Sequence, residues 1–366
     1  MRQTRLGLVT LCAATLLAAG CGDDDSGAAE PAWAPAPLTQ YVDPFIGSGG
    51  FGFTHGSPVV GATAPFGMVR LSPDTTAPLH LDFHHYSGYY YDDTIIRGFS
   101  HTHFHGTGAQ GYGNLLFMPV PGFSPEKITE RGYRSTFAKA SETASPGYYA
   151  VRLDNGDVLA ELTSTGRTGA HRYTFGAGAA GAAVVIDASS QLAGGKAQDL
   201  KLDLDPAARR ITGSLRGVGG MSREFDLYWV IAWDTPTSAH GTWTGSTIAP
   251  GATRVDAPTQ GGGAWLEFDV PDGGVVQFRV GLSFVDLDGA IANLAAEAPE
   301  FSFDEQRAAT AARWEEMLGR VRIEESDPAR LRAFYSAAYR ALVMPTIYSD
   351  ADGRYRGFDG AVHVAD

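Results

Sequence analysis

Cysteine is almost absent from this chain: Cys12 and Cys21 are the only two in 366 residues. That is too few for a disulfide framework or a cysteine-based zinc site. Lysine- and arginine-rich runs are also missing, and the formal net charge is −13. Nucleic-acid binding, which needs a basic surface to displace counterions, is therefore excluded. No segment after the first twenty residues is apolar for the roughly 20 residues of a membrane-spanning helix. A G-x-S-x-G elbow, a P-loop and an H-E-x-x-H zinc motif are absent as well. What is present is globular: 44% hydrophobic residues, 19% charged, 46 Gly and 20 Pro rule out a disordered tail, a collagen or a coiled coil. The length suits one large domain or two ordinary ones, each able to bury a full core.

Residues 1–20 read as a targeting segment. Arg2 and Arg5 begin it, Leu6 to Ala19 form a short apolar run, and Leu17-Ala18-Ala19-Gly20 precedes Cys21. Small residues before a cysteine resemble a bacterial lipoprotein signal, cleaved before Cys21 with lipid on its thiol; the alternative is an ordinary secretory signal cut nearby. Cleavage removes Cys12 and leaves the lipidated thiol alone, so cysteine catalysis is excluded from the folded part. Residues 21–40, acidic and then Ala/Pro-rich, predict a disordered, solvated tether. The expected location is outside the cytoplasm, at the cell envelope, with membrane contact only through the lipid on Cys21.

From Tyr41 to Asp288 short β-type runs alternate with turn residues. The runs are Tyr148–Leu153, Val158–Thr163, His171–Phe175, Ala183–Ala188, Leu200–Leu204, Ile211–Leu215, Phe225–Trp233, Ala264–Val270 and Val275–Val285. Leu200, Leu202 and Leu204 alternate with Lys201 and Asp203, as a half-buried strand requires. Many short strands without intervening helices predict a mainly β fold, an antiparallel β-sandwich over 41–288. Gly176–Ala183 and Gly241–Gly263, low in complexity, read as long turns.

Two helices are predicted over 289–366. Ser302 with Glu305 forms a capping box for a helix through Trp314 to Leu318, and Asp327 with Pro328 starts a second. Leu331, Phe334, Tyr335, Ala338, Tyr339 and Leu342 recur there at helical spacing, until Pro345 ends it. This stripe needs a partner, and no closing helix or strand is visible after Arg356. Either the helices pack back on the sandwich, or they open a helical domain that the chain does not contain; the second is the expectation.

Seven of the ten histidines lie between His55 and His105. His101, His103 and His105 would share a strand face, but the outer pair would stand about 13 Å apart, too far to meet one ion. Three readings stay open: a transition-metal site with a ligand from elsewhere, hydrogen-bonded histidines within a sandwich edge, or a polar and aromatic surface for sugars. The glycines of Gly47-Ser-Gly49-Gly50-Phe51-Gly52 do not open a helix, so they suit a tight turn near a ligand rather than a phosphate loop. Asp92-Asp93, Glu315-Glu316 and Glu324-Glu325 are sequence neighbours that face apart and read as solvated or capping charges.

Tyr41-Val-Asp43-Pro44-Phe45-Ile46-Gly47 and Gly61-Ala-Thr-Ala-Pro65-Phe66-Gly67-Met68-Val-Arg-Leu-Ser72-Pro73-Asp74 resemble the amino-terminal domain of glycoside hydrolase family 92. So do Ser87-Gly88-Tyr89-Tyr90 and Gly98-Phe99-Ser100-His101-Thr102-His103 with Gly106-Thr107-Gly108. Met344-Pro345-Thr346 and Asp352-Gly353-Arg354-Tyr355-Arg356-Gly357 resemble the family's lead-in to its catalytic domain.

The resemblance implies a supersandwich-type β-sandwich, two linker helices and the start of an (α/α)6 catalytic domain cut short. It implies a calcium-dependent, inverting exo-α-mannosidase acting on mannose-containing glycans, with a Glu acid and an Asp base. Those groups and the calcium ligands would lie outside this chain, whose missing catalytic domain would be its packing partner, and the chain alone would be inactive. No catalytic or metal residue is assigned. Substrate contact would fall to Gly49, Gly50, Phe51, Asp82, Phe83, His84, His85, Tyr86, His101 and His103. Phe83 stands where relatives often carry Trp and offers less stacking area. The rival readings are a non-catalytic surface carbohydrate-binding module and a histidine-based metal enzyme.

Overall fold

The computed structural model describes residues 33–50, 57–78, 84–177, 181–192, 195–220 and 222–365. Among these, two nine-stranded antiparallel sheets face each other. The first runs Ala62–Thr63, Arg70–Thr76, Ile95–Ser100, Leu116–Val120, Ala182–Asp187, Gly262–Phe268, Thr237–Thr244 and Thr247–Pro250, with Ser135–Thr136 beside Ile95–Ser100. The second runs Arg254–Ala257, Gly195–Asp205, Arg210–Gly219, Phe225–Trp233, Val275–Ser283, Thr168–Phe175, Val158–Ser164, Tyr148–Leu153 and Thr143–Ser145. This is the antiparallel sandwich that the alternation predicts. Leu200, Leu202 and Leu204 are buried while Lys201 and Asp203 are exposed, and Leu204 stands opposite Ile211 in the ladder.

Aromatic rings join the two layers. Phe117 meets Phe278 edge-on at 5.5 Å, Phe268 meets Phe278 at 6.1 Å, and Phe99 lies 6.4 Å from Tyr173. Each buried ring contributes up to about 3 kcal/mol of transfer free energy. The segment read as a long turn, Gly241–Gly263, instead contains strands Thr247–Pro250 and Arg254–Ala257 and the end of Thr237–Thr244. Two of its glycines are seats for rings: a Cβ on Gly263 would stand 2.5 Å from the Trp243 indole, and one on Gly241 2.6 Å from the Trp265 indole. Glycine thus marks close packing here, where its composition suggests a turn.

The described residues hold four α-helices: the single turn α1 (Glu130–Tyr133), α2 (Leu287–Glu297), α3 (Phe303–Leu318) and α4 (Pro328–Val343). The alternation pattern gave no sign of α2. Asp286 caps it through the Gly289 N–H at 2.7 Å, and Ala290 and Leu294 lie on Val230 of the second sheet. For α3 the boundary is as read, but Ser302 makes no side-chain cap, which corrects the capping box. For α4, Asp327 accepts from the Ala329 N–H at 2.9 Å and Pro328 fills the first turn, as expected.

The α4 stripe finds its partner within the chain. Leu331, Tyr335, Tyr339 and Val343 pack with Trp314 and Leu318 of α3 and with Ala34, Leu38 and Val42. Trp314 donates to the Thr63 carbonyl at 2.7 Å, and its ring lies 4.5 Å from Tyr339. This cluster corrects one expectation: the tether does not extend to residue 40, because Ala34 and Leu38 are buried. Residues 21–32 of that tether, with Cys21, lie outside the described residues. A hairpin, Arg354–Arg356 with Val362–Val364, also forms where no strand was expected after Arg356.

Candidate functional site

Alternation along Arg70–Thr76 puts Arg70, Ser72 and Asp74 on one face. All seven residues of the strand are buried, because other segments cover both of its faces. A bulge at Arg97 shifts the register between Asp74 and Thr75. Such an extra residue re-aims its neighbours, and here both Asp74 and Thr75 reach the same polar edge of the sheet.

Asp74 accepts from Ser100 at 2.7 Å through Oδ2 and pairs with His103 Nε2 at 2.8 Å through Oδ1. The other ring nitrogen, Nδ1, lies 2.7 Å from the Arg70 carbonyl. Both His103 nitrogens therefore face oxygen atoms of the strand Arg70–Thr76. Gly88 closes over this pair with φ of +80°; a Cβ there would fall 1.9 Å from Asp74 Oδ1, so only glycine fits. One residue along the strand, Thr75 donates to Asp93 Oδ2 at 2.8 Å and accepts from the Tyr90 N–H at 2.9 Å. Asp93 also pairs with His85 Nε2 at 2.8 Å, and the His85 ring stacks on Tyr90 at 4.9 Å.

The surface above these two pairs is made by glycines and tyrosines. Tyr90 Oη donates to the Gly50 carbonyl, and the Tyr91 N–H donates to the Ser48 carbonyl at 3.0 Å. Gly49 lies against Tyr91, where a Cβ would come 2.7 Å from the tyrosine Cβ. His84 contacts Arg97, which also pairs with Glu130. The edge thus presents half-buried His84, Tyr86 and Tyr90 beside Gly49 and the exposed Gly50 and Tyr91. Aromatic faces next to hydroxyl, imidazole and backbone groups are the chemistry that recognises a sugar, which has an apolar C–H face and rows of hydroxyls.

The structure sorts the residues named from the sequence into three groups. Gly49, Gly50, His84, His85 and Tyr86 gather at this edge. Phe51, Asp82 and Phe83 lie outside the described residues, as do His55 and His80. His101 and His103 are 0% and 1% exposed and so lie beneath this edge rather than on it. His103 acts from beneath, as the partner of Asp74. His101 points into the sandwich core.

There His101 Nδ1 lies 2.7 Å from the Leu115 carbonyl, His101 Nε2 lies 3.0 Å from His171 Nε2, and His171 Nδ1 lies 2.7 Å from Tyr173 Oη. Nδ1–H of His101 must donate to the carbonyl, so its Nε2 accepts from His171, whose Nδ1 accepts from the tyrosine. Burial pulls His101 down to about 4 and His171 well below its ordinary range, and it raises Tyr173, so the whole relay is neutral. His105 Nδ1 accepts from the Val59 N–H at 3.1 Å, and burial, then Arg340 and Arg70, pull it down to about 3. The three histidines therefore serve separate partners. Among the described residues no group of three or more His, Cys, Asp or Glu could hold a metal ion.

Sequence reasoning missed Asp74, Asp93 and Arg70. Asp93, expected to be a solvated charge, is 0% exposed. Arg70 reaches from the sandwich to the carbonyl of Val343 at 3.3 Å, the last residue of α4, and so ties the helix end to the strand. Asp74 and Arg70 lay within the quoted Pro65–Asp74 motif, which was the signal available.

Comparison with known proteins accords with this architecture. The profile of the glycosyl hydrolase family 92 N-terminal domain matches residues 41–283, and that of the family 92 catalytic domain matches 289–366. The family GH92 α-mannosidase BT3965 from Bacteroides thetaiotaomicron superposes with a TM-score of 0.78 at 32% identity, over 90% of this chain and 44% of that one. The inverting mannosidase BT2199 of the same organism gives 0.75 at 26% identity, over 89% and 43%. An uncharacterized secreted glycosidase of Arthroderma benhamiae is 27% identical over 85% of this chain and 42% of its own length. The chain thus spans a little under half the length of these relatives. No helix among the described residues is long and apolar enough to cross a membrane. With two thirds of its length matched by one profile and its sandwich shared with solved members, the chain belongs to glycoside hydrolase family 92.

Proposed function

We propose that the chain forms the sugar-contacting, non-catalytic wall of an inverting, calcium-dependent exo-α-mannosidase that acts on mannose-containing glycans. The observation that carries this reading is the edge built by Gly49, Gly50, His84, Tyr86 and Tyr90 over the pairs His85–Asp93 and His103–Asp74. Phe51, Asp82 and Phe83 would complete that wall. Support comes from relatives named as mannosidases, one as an inverting mannosidase and one as an α-mannosidase in complex with mannoimidazole.

Inversion requires an acid and a base about 6.5–9.5 Å apart around a water. Asp74 and Asp93 are already engaged by His103 and His85, so no catalytic role is assigned to either. A calcium ion takes six to eight oxygen ligands. Among the described residues no group of three or more His, Cys, Asp or Glu stands together, and the calcium ligands would come from elsewhere in the enzyme. The chain by itself is then a binder without hydrolysis, exported and held at the cell envelope by lipid on Cys21.

The test is mannose release from an α-mannobiose with calcium by the 366-residue chain, together with NMR titration by methyl α-mannoside. Shifts at His84, Tyr86 and Tyr90 without hydrolysis are expected. Hydrolysis would contradict the placement of the catalytic groups, and an unperturbed edge would remove the sugar surface. The second reading, a surface carbohydrate-binding module, rests on the same edge; glycan binding with no catalytic reading frame downstream in the gene would favour it.

A further inference from the structure

Arg70 is 4% exposed, and the partners of its guanidinium are all neutral. Nη1 donates to the His103 carbonyl at 2.7 Å; Nη2 donates to the Val343 carbonyl at 3.3 Å, to Met344 Sδ at 2.8 Å and to Thr346 Oγ1. Nε is buried without a partner, and among the described residues no carboxylate forms an ion pair with this arginine. An arginine stays protonated in proteins, so the charge must be balanced. The α4 carboxyl end, reached through Val343, carries about half a negative charge, which leaves roughly half of the cation uncompensated.

A pocket opens to solvent beside this guanidinium, lined among others by Arg70, Thr102, His103, Tyr112, Thr346 and Tyr348. Its volume is about 210 Å³ with its mouth, and its inner space admits on the order of one water-sized occupant. Tyr112 Oη and Tyr348 Oη lie 3.0 Å apart. One donates to the other, and the second keeps its proton for a ligand. Burial and the neighbouring Tyr348 hydroxyl push Tyr112 up, so it does not supply the missing negative charge as a tyrosinate. A cation, an unshared hydroxyl donor and room for one small group select an acceptor-only occupant.

We propose that this pocket binds one small monovalent anion, a halide or a single carboxylate group, as the counter-ion of Arg70. The anion joins strand Arg70–Thr76 to the segment Met344–Tyr348, and so fixes how the chain leaves α4.

The test uses the 366-residue chain. Crystals soaked in sodium bromide are expected to show an anomalous peak between Arg70 and Tyr348. Melting in sodium chloride is expected to exceed melting in sodium gluconate at equal ionic strength, with a saturable dependence on chloride. A rise with chloride identifies a free halide, and a rise with formate alone identifies a carboxylate. Arg70→Gln abolishes the response. Because that variant also loosens α4, Tyr348→Phe at the exposed rim is the second probe: losing one charge-assisted hydrogen bond raises the half-saturating anion concentration about tenfold. The absence of both a bromide peak and any rise with chloride or formate over gluconate, or a response unchanged in both variants, would overturn the proposal.

Discussion

His101 and His103 stand two residues apart and both are buried, yet the fold gives them opposite surroundings. His101 faces the interior of the sandwich, where Leu115, His171 and Tyr173 form a neutral relay. His103 faces the edge, where Asp74 and the Arg70 carbonyl take both of its nitrogens. The interior spends its polar groups on one another, and the edge uses buried pairs to hold a surface of tyrosines and glycines. A buried histidine is therefore informative only once its partners are known.

The largest effect that would test this contrast is expected at Asp74. Asp74→Ala strands His103 and Ser100 beneath the edge and should cost about 3–5 kcal/mol in chemical denaturation. A loss no greater than that of an average surface substitution would show that the pair does not organise the edge.

Acid should act on the interior instead. The folded His101 titrates at about 4 against 6.5 when free, so between those values the unfolded chain binds a proton that the folded chain does not. Stability is then complete above pH 6.5 and falls as the pH drops toward about 4, by on the order of 3 kcal/mol for this group. Denaturation midpoints over that range check the slope, and His171→Phe, which removes a second imidazole held below its ordinary range, should lessen it.

A smaller change is expected at Gly88. Gly88→Ala drives a methyl into Asp74 at a φ of +80° and should cost about 1–3 kcal/mol. Hydrogen exchange should quicken at Thr75 and Tyr90 and stay unchanged at His171, which separates edge from interior. The mildest is Tyr90→Phe, which removes the donor to the Gly50 carbonyl and should cost about 0.5–1.5 kcal/mol. Faster exchange confined to Ser48–Gly50 would place that bond at the rim.

How much of this was readable depended on which residue types met. Tyr148–Leu153 and Phe225–Trp233 were visible to the residue, because apolar side chains there dominate the pattern. Strand Arg70–Thr76 was not, since its buried faces carry Arg, Ser, Asp and Thr, whose burial depends on partners distant in sequence. Helix α4 was legible as an amphipathic stripe, but a stripe states that a face is covered and not by what. Part of its cover, beside Trp314 and Leu318 of α3, comes from Ala34 and Leu38, in a segment whose Ala/Pro composition suggests no packing. Of the edge, the histidines and glycines drew notice by their density, whereas Asp74 and Asp93, which hold them, looked like ordinary charges.

Local patterning in the chain was enough for the β-sandwich, for α3 and α4 and for the family motifs, because alternation, caps and long runs of specific residues are properties of neighbours along the backbone. The pairing of His103 with Asp74, the neutral relay of His101, and the placing of Arg70 against the end of α4 came from long-range approach. Register, a single bulge and the docking of a helix set those distances, and a few ångströms there separate a core histidine from one that shapes a binding edge.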